Sequence, residues 1–324
     1  LQLDGFSPVF ARLLEARGVT TAEAAQAFLH PHLSQLHDPF ALSGMAEAVR
    51  ILEIALQAGT PMVLYGDYDV DGVCGVSILY EYLQARGAQV AYYIPARHGE
   101  GYGLNRGAVE KLAQTARLLI TVDCGMTNVE EVALAHTLGM QVIVTDHHEI
   151  PDPYPQCEAV INPLLGAYPF RRLCGAGVAW KLVCAMGGLE AAEPLLELAA
   201  LATVADLVPL LDENRVLVSA GLAAMQHTTR PGLRALLAVS GLEGKMITAG
   251  HLGFQLGPRI NAGGRLAHAG RSVVMMTTRD AAQAQEIAEA LQAENVCRQQ
   301  LEQAILRQAD AWTQTNMDFQ KERA

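Results

Sequence analysis

The 324-residue sequence lacks several features that would place it in common protein classes. No apolar run is long enough to span a bilayer, and the charged N-terminal segment has no signal-peptide profile. We therefore expect a cytoplasmic protein with no membrane partner. No GxxxxGK[ST] motif occurs, and no GxGxxG motif follows the first predicted strand. These absences argue against a P-loop nucleotide hydrolase and against a dinucleotide-binding oxidoreductase.

Paired cysteines and an excess of basic residues are also missing. The six cysteines form no CxxC pair and several lie in apolar segments, so we expect buried free thiols. There are 23 Lys and Arg against 34 Asp and Glu, which gives a net charge of -11. This charge is a poor match for a nucleic-acid-binding protein, although two bound divalent cations would offset about four negative charges.

The sequence does contain a regular alternation of short apolar runs and amphipathic segments. Strands are predicted at 62–66 and in the segments QVAYYIP, RLLITVD and QVIVTDH, with helices between them. This alternation of strands and helices predicts an α/β fold with a doubly wound, mostly parallel sheet. The later sequence is mostly helical, and 281–312 predict one long polar helix with no obvious partner in the chain.

We expect three segments along the chain. They are a helical lead-in over 1–45, a domain over 46–270 that holds the candidate site residues described below, and a long connecting helix over 271–324. A helix that is polar nearly all round often bridges two domains. The simplest interpretation is that a further domain follows in the intact protein.

Four acidic and histidine clusters follow predicted apolar segments. In an open α/β sheet the carboxyl ends of parallel strands meet at one crevice, where three of the clusters would converge. Carboxylates packed that closely repel one another, and divalent cations are the usual compensation. Oxygen and imidazole ligands without thiolates suit manganese or magnesium. The clusters are Asp67/Asp69/Asp71, Asp123, Asp146/His147/His148, and Asp206.

The GDYDVDG segment imitates the start of an EF-hand calcium loop. It lacks the final acceptor Glu and follows a strand, so the calcium interpretation is disfavoured. Asp67 and Asp69 are expected to face the crevice. Asp71 is the weaker ligand candidate, and its alternative role is to cap a helix that opens near Val73.

Asp123 is expected to be free for metal, since the helix after it has caps of its own. The neighbouring His147 and His148 are predicted to point to opposite sides, so that one binds metal while the other faces a substrate phosphate. Asp146 would then orient an imidazole. Asp206 lies in an apolar stretch, which indicates a paired or metal-bound carboxylate, with a structural helix-end role as the alternative.

Two glycine-containing segments are candidate substrate sites. The segment 257–266 is interpreted as a glycine-rich loop in which Arg259 and Arg265 contact phosphate oxygens, and a plain turn is the alternative. Over 97–105 the candidate substrate contacts are Arg97, Tyr102 and Asn105.

The ordered motifs GDYDVDG, VDCG, TDHH and ATVADLVPL resemble the DHH phosphoesterase superfamily. The further motifs EGYGLN, INP, CGAGVAWKL and GPRINAGGRL are similar to those of the RecJ single-strand-specific exonucleases, from about residue 5 to the end of the chain. The resemblance implies two ions, Mn²⁺ or Mg²⁺, with His148 at the scissile phosphate. It implies the metal ligands Asp67, Asp69, Asp123, His147 and Asp206, with phosphate contacts from Arg259 and Arg265. We expect a catalytic group comprising Asp123, Asp146 and His148.

The resemblance also implies an activity and partners. A RecJ-like enzyme would degrade single-stranded DNA from the 5′ end to 5′-mononucleotides in recombination and repair, beside a helicase and a single-strand-binding protein. We expect two-metal hydrolysis with Asp123 as the bridging ligand. Replacing Asp123 or His147 with Ala should abolish turnover and leave the fold intact. The family's second domain and its oligonucleotide-binding barrel have no matching motif in the sequence.

Two alternatives remain open. One is a DHH phosphodiesterase that acts on short oligoribonucleotides, cyclic dinucleotides or pyrophosphate, which the motifs around 97–105 and 257–266 disfavour. The other is a non-catalytic nucleic-acid-binding protein of the same fold. The presence of all five proposed ligands disfavours it.

Overall fold

The first three helices precede the sheet. A computed structural model describes residues 5–96, 101–266 and 270–316, without the side chains of 265 and 266. The early helices are α1 (Pro8–Glu15), α2 (Ala22–Leu29) and α3 (Met45–Ala58). Thr21 caps α2 by accepting a hydrogen bond from the backbone N–H of Ala24, and α3 ends at the left-handed Gly59. Thr before the first turn of a helix and a left-handed Gly after the last one are residues typical of these two boundaries.

A five-stranded parallel sheet forms the centre of the fold, which confirms the predicted α/β class. Its strand order is β2-β1-β3-β4-β5. In this order the chain reverses direction of winding between β1 and β3, and ligands bind at such a switch point. The strands are β1 (Met62–Gly66), β2 (Val90–Tyr93), β3 (Leu118–Val122), β4 (Gln141–Thr145) and β5 (Ala159–Ile161).

Helices cover both faces of the sheet. Along β1, Leu64 packs in one apolar core and its neighbours Val63 and Tyr65 pack in the other, as the two-residue period of a strand requires. The helix α4 (Val70–Ala85) lies in the larger core, and α5 (Arg106–Leu112) and α6 (Val129–Thr137) border the smaller one. Truncating a core residue such as Leu64 to Ala would cost about 2–5 kcal/mol.

The regular elements after β5 are helices, and none of the described helices has the length and apolarity needed to cross a membrane. A short π-helical segment over Leu252–Leu256 interrupts the α-helices. The helices are α7 (Gly175–Ala192), α8 (Leu196–Ala205), α9 (Asp212–Met225), α10 (Pro231–Val239), α11 (Ala249–His251), α12 (Gly257–Leu266), α13 (Gly270–Thr277) and α14 (Ala281–Asn316).

The glycine-rich segment 257–266 is the helix α12, so the prediction of a loop was wrong. Its glycines serve close packing. A Cβ at Gly263 would lie 2.4 Å from Leu291 Cδ2, and a Cβ at Gly264 would lie 2.9 Å from the carbonyl oxygen of Tyr68. The glycines therefore let α12 approach both α14 and the loop after β1.

The long helix α14 has partners within the chain, which corrects the expectation that it has none. It packs against α10, α12 and α13, and Ala284, Ala288 and Leu291 are buried there. The sequence did not indicate this packing, because the small residues on that face of α14, such as Ala, contribute little to an apolar stripe. Beyond Cys297 the described part of the helix is mostly exposed. The predicted link from this helix to a further domain stays a prediction.

The cysteines are free thiols, as predicted. Cys74, Cys124 and Cys174 are buried, while Cys297 is exposed on α14. Burial raises the pKa of the Cys74 thiol above its usual value. These buried thiols act as small apolar residues in the core.

Candidate metal centre

The ends of three adjacent strands and one helix bring the acidic clusters together. Asp67 follows β1, Asp123 follows β3, and His147 comes two residues after β4. Asp206 is the C-cap residue of α8, so it combines the predicted helix-end position with a place in the site. The Nε2 atom of His147 lies 3.1 Å from Asp123 Oδ1 and 3.8 Å from Asp206 Oδ2.

The side chains form three overlapping groups with the spacing of metal ligands. Within each group the potential ligand atoms lie within 4.8 Å of one another. Asp123 belongs to two of the groups, and so does His147. The site therefore offers neighbouring ligand sets that share a carboxylate. The groups are Asp67/Asp69/Asp123, Asp123/His147/His148 and Asp71/His147/Asp206.

The centre of the site contains buried polar atoms that suit a cation. Among the described residues, Asp123 Oδ1, His147 Nε2 and Asp206 Oδ2 are buried and accept or donate no hydrogen bond. Leaving such atoms unsatisfied is costly in a folded protein. A divalent cation bound between them would satisfy all three, and the oxygen and imidazole donors fit Mn²⁺ or Mg²⁺.

The pKa values of the buried carboxylates also favour a bound cation at the site. Burial raises the pKa of Asp123 well above its usual range, and the charges of Asp71 and Asp69 raise it further. Burial, followed by the same two carboxylates, raises the pKa of Asp206 to about 8. Both groups thus resist ionising in the metal-free protein. A bound dication would reverse this preference.

Asp71 has a different position from the one predicted. Helix α4 begins at Val70 rather than near Val73, so Asp69 is its cap and accepts hydrogen bonds from the backbone N–H groups of Asp71 and Gly72. The buried carboxylate of Asp71 instead accepts hydrogen bonds from Gly175 and Ala176, the first residues of α7. The helix dipole stabilises its charge there. No local sequence signal could reveal a partner 104 residues away.

Asp146 orients His148, as the sequence had suggested. The Nδ1 atom of His148 lies 2.7 Å from Asp146 Oδ1. Burial alone would raise the pKa of Asp146, but the hydrogen bond and charge of His148, with further hydrogen bonds from backbone N–H groups, lower it. The same hydrogen bond raises the pKa of His148. His148 is thereby held in a fixed orientation at the crevice.

The two histidines do not point to opposite sides, so that prediction was wrong. Their ring centroids are 4.5 Å apart. Asp146 Oδ1 accepts hydrogen bonds from the backbone N–H groups of both His147 and His148. This contact turns the segment, so that both rings lie at the site.

Tyr102 joins the site from the loop before α5. Its hydroxyl lies 3.2 Å from His148 Nε2 and donates to the carbonyl oxygen of Asp123 over 3.3 Å. Nearly half of its surface is exposed. It remains a candidate substrate contact, now placed beside the oriented imidazole.

Two glycines provide the space in which the carboxylates lie. A Cβ at Gly175 would fall 2.5 Å from Asp123 Cβ, and a Cβ at Gly72 would fall 2.4 Å from the carbonyl oxygen of Asp67. Neither distance is possible for real atoms without a shift of the backbone. Sequence reasoning missed both residues, although each lies in a quoted motif.

The structure describes the side chains of only some of the predicted substrate contacts. Arg259 Nε donates to Gln292 on α14 over 2.7 Å, and its Nη1 donates to the carbonyl oxygen of Gln255 over 2.6 Å. Arg265 lies in α12, but its side chain is outside the described part of the chain, and so is the whole of Arg97. The predicted phosphate contacts of these arginines stay predictions.

Asn105 has a structural role in the described chain. Its side-chain oxygen accepts a hydrogen bond from the backbone N–H of Ala108, which caps α5. Its side-chain nitrogen donates to the hydroxyl of Tyr65. The predicted substrate contact of Asn105 is a separate property and stays a prediction.

Comparisons with known proteins agree with these motifs. Residues 61–205 match the family model described as "DHH family, N-terminal domain". The single-stranded-DNA-specific exonuclease RecJ of Bacillus subtilis is 41% identical over 298 residues, covering 91% of this chain and 38% of that protein. The chain thus spans well under half of that relative's length.

Solved structures of RecJ exonucleases are similar to this chain as well. An exonuclease RecJ bound to manganese is 39% identical with a TM-score of 0.79, over 85% of this chain and 70% of that one. RecJ from Thermus thermophilus in complex with Mn²⁺ is 36% identical with a TM-score of 0.80, over 91% of this chain and 43% of that one.

Proposed function

This chain belongs to the RecJ family and carries the N-terminal domain of the DHH family, and from this premise we propose that it is a metal-dependent phosphodiester hydrolase. Its proposed substrate is single-stranded DNA, which it shortens from the 5′ end with release of 5′-mononucleotides in recombination and repair. The observation that carries this proposal is the pair of ligand sets that share Asp123.

The proposed metal ligands are the side chains that converge at the switch point of the sheet. They would hold two ions, Mn²⁺ or Mg²⁺, and Asp123 would contribute to both. When bound, two divalent ions activate a water molecule and stabilise the leaving oxygen of an in-line displacement. The ligands are Asp67, Asp69, Asp123, His147 and Asp206.

Other residues around the cluster would handle protons and the substrate phosphate. His148, fixed by Asp146, is proposed to contact the phosphate or to transfer a proton. Its Nδ1 lies 2.7 Å from Asp146 Oδ1, which fixes the ring for either role. Arg259 and Arg265 on α12 are proposed to neutralise phosphate oxygens. Arg97 and Asn105 are proposed substrate contacts.

Asp71 would act as a support for the site. Hydrogen bonds from the start of α7 hold its carboxylate 3.6 Å from His147 Nε2. We therefore assign it to positioning His147. A cytoplasmic location, a helicase and a single-strand-binding protein as partners remain predictions.

The activity can be tested directly with a 5′-labelled single-stranded DNA oligomer and Mn²⁺. We expect release of labelled mononucleotide from the single strand, none from a blunt duplex, and none after chelation. An RNA oligomer, a dinucleotide and a cyclic dinucleotide test the short-substrate alternative in parallel.

The matched variants are His147→Gln in the site and His136→Gln on α6, where His136 contacts Glu158 on the surface. The first should lose turnover and the second should keep it. Turnover by His147→Gln at the wild-type rate would refute the ligand assignment. Faster cleavage of dinucleotides than of long strands would favour the short-substrate phosphodiesterase.

A further inference from the structure

Leu207 follows the site residue Asp206 directly and lies in an unfavourable position. It is 83% exposed, and its φ of 61° places it in the left-handed region. Glycine or asparagine normally occupies this position after a helix, because a Cβ is strained there. A large apolar side chain is thus exposed to water at a strained backbone position, one residue after Asp206.

Phe254 presents a second exposed apolar surface nearby. It lies in the π-helical segment, and 83% of its surface is exposed. Leu252 and Leu256 on either side of it are fully buried and anchor the segment. Single π-helical turns frequently occur at functional sites. The two buried leucines therefore fix the backbone of the segment, from which the ring of Phe254 projects into solvent.

The π-helical segment packs closely on the end of α8, which leads into Asp206. A Cβ at Gly253 would lie 3.4 Å from Val204 Cγ1, and a Cβ at Gly257 would lie 3.4 Å from Ala205 Cβ. This packing lies at the same edge of the molecule as Leu207, since Val204, Gly253, Phe254 and Leu207 line one groove.

Leu207 and Phe254 together line one groove with a volume of about 270 Å³. The other side chains that line it, such as Val204, Val208 and Leu210, are apolar as well. The groove begins at the residue that follows Asp206. The apolar surface therefore starts one residue along the chain from Asp206, a member of the candidate metal centre.

We propose that this groove is a nucleobase subsite, in which the base of a nucleotide next to the scissile phosphate stacks on Phe254 and contacts Leu207. The proposal rests on the proposed function, since it concerns the strand bound at the same site. Every phosphate inside a strand is flanked by nucleotides, so the surfaces beside the carboxylates must receive a sugar or a base. Base faces stack on aromatic side chains with little dependence on sequence.

The test measures binding and stacking with a nuclease-resistant phosphorothioate DNA strand in Mn²⁺. Single 2-aminopurine bases are placed at each of the first three positions from the 5′ end, and their quenching reports stacking. Phe254→Ala should weaken binding by about 5- to 150-fold and abolish quenching at one position. Phe254→Trp should retain both.

Phe40→Ala is the matched control, because Phe40 is also exposed but lies in a different segment of the chain. It should bind and quench as the wild type does. Normal binding and quenching by Phe254→Ala would overturn the subsite, even if the wild type hydrolyses single strands. Phe254-dependent quenching in a protein without hydrolysis would instead retain the subsite and reject the proposed function.

Leu207→Gly separates binding from folding. Glycine relieves the left-handed strain, so the melting temperature should not fall. Binding of the same strand should nevertheless weaken, and quenching should decrease. A folded variant with full affinity and unchanged quenching would remove Leu207 from the subsite.

Discussion

At the residue scale, Asp123 combines several unfavourable properties. It is buried, its φ of 61° lies in the left-handed region, and its pKa is raised by burial and by neighbouring carboxylates. Aspartate tolerates this backbone region better than most residues do. Strain and buried charge of this kind persist where function requires them. Asp123 is therefore the most informative position for substitution.

Asp123→Asn keeps the shape of the side chain and removes one buried carboxylate. We expect Mn²⁺ affinity to fall by more than about 100-fold, since changes even in residues outside the direct ligands cost roughly 10- to 100-fold. The metal-free variant should melt at a higher temperature than the wild type, because repulsion in the cluster decreases. Calorimetric titration and thermal unfolding measure the two effects. Wild-type Mn²⁺ affinity would contradict the assignment.

The raised pKa values predict a specific pH dependence. Between about pH 4 and pH 8 the folded metal-free protein binds more protons than the unfolded chain, because burial and neighbouring carboxylates raise the pKa of Asp206 to about 8. Its stability should therefore fall as pH rises through this window. Mn²⁺ binding near pH 7 should release protons, measurable by titration in buffers of different ionisation enthalpy. Asp206→Asn should release fewer protons, and an unchanged release would contradict this prediction.

At the element scale, helix N-termini organise the carboxylates. Asp69 caps α4 through its own side chain, and Asp71 receives the first backbone N–H groups of α7. Each helix start thus fixes one acidic side chain and stabilises its charge. The close approach of α7 to Asp123 depends on Gly175.

Gly175→Ala tests this arrangement. The added Cβ would meet Asp123 Cβ at 2.5 Å, so we expect a loss of about 1–3 kcal/mol of stability and a marked loss of Mn²⁺ affinity. Gly177→Ala on the same helix is the control, because its Cβ would meet only side-chain atoms, at 3.5 Å or more. Thermal unfolding measures the stability of both variants, and Mn²⁺ titration measures their affinities. Equal Mn²⁺ affinities in the two variants would contradict the role of Gly175.

At the scale of the whole molecule, one buried ion pair joins distant segments. Lys181 on α7 and Glu213 on α9 are both buried, with 2.7 Å between Nζ and Oε1. Tyr168 donates to the other oxygen of Glu213, and the backbone N–H of His37 donates to the first. The carbonyl oxygen of His37 also accepts from Lys181. The segment before α3 is thereby attached to the helical part.

Lys181→Met should destabilise the protein by about 3–5 kcal/mol, because it leaves the charge of Glu213 buried without its partner. Chemical denaturation measures this change. Lys181→Met combined with Glu213→Gln should recover part of the loss, and Lys245→Met at an exposed position should change little. A Lys181→Met protein as stable as the wild type would show that the pair does not hold these segments together.

The sequence by itself determined the parallel α/β sheet, the start of the long helix at Ala281 and the residues at the ends of strands. These follow from local patterns, because apolar periodicity and capping residues act over a few positions. The proposed ligands Asp67, Asp69, Asp123, His147 and Asp206 were also chosen from the sequence, and the structure brings these side chains close to one another in overlapping groups.

Only the tertiary structure decided the position of Asp71, the orientation of both histidine rings and the helical state of 257–266. It also decided that Gly175 is required beside Asp123, and that Leu207 and Phe254 line one groove. Each of these facts depends on atoms from elements far apart in the chain. Local sequence patterns do not predict such contacts, because the contacts arise only when packing sets the distances between elements.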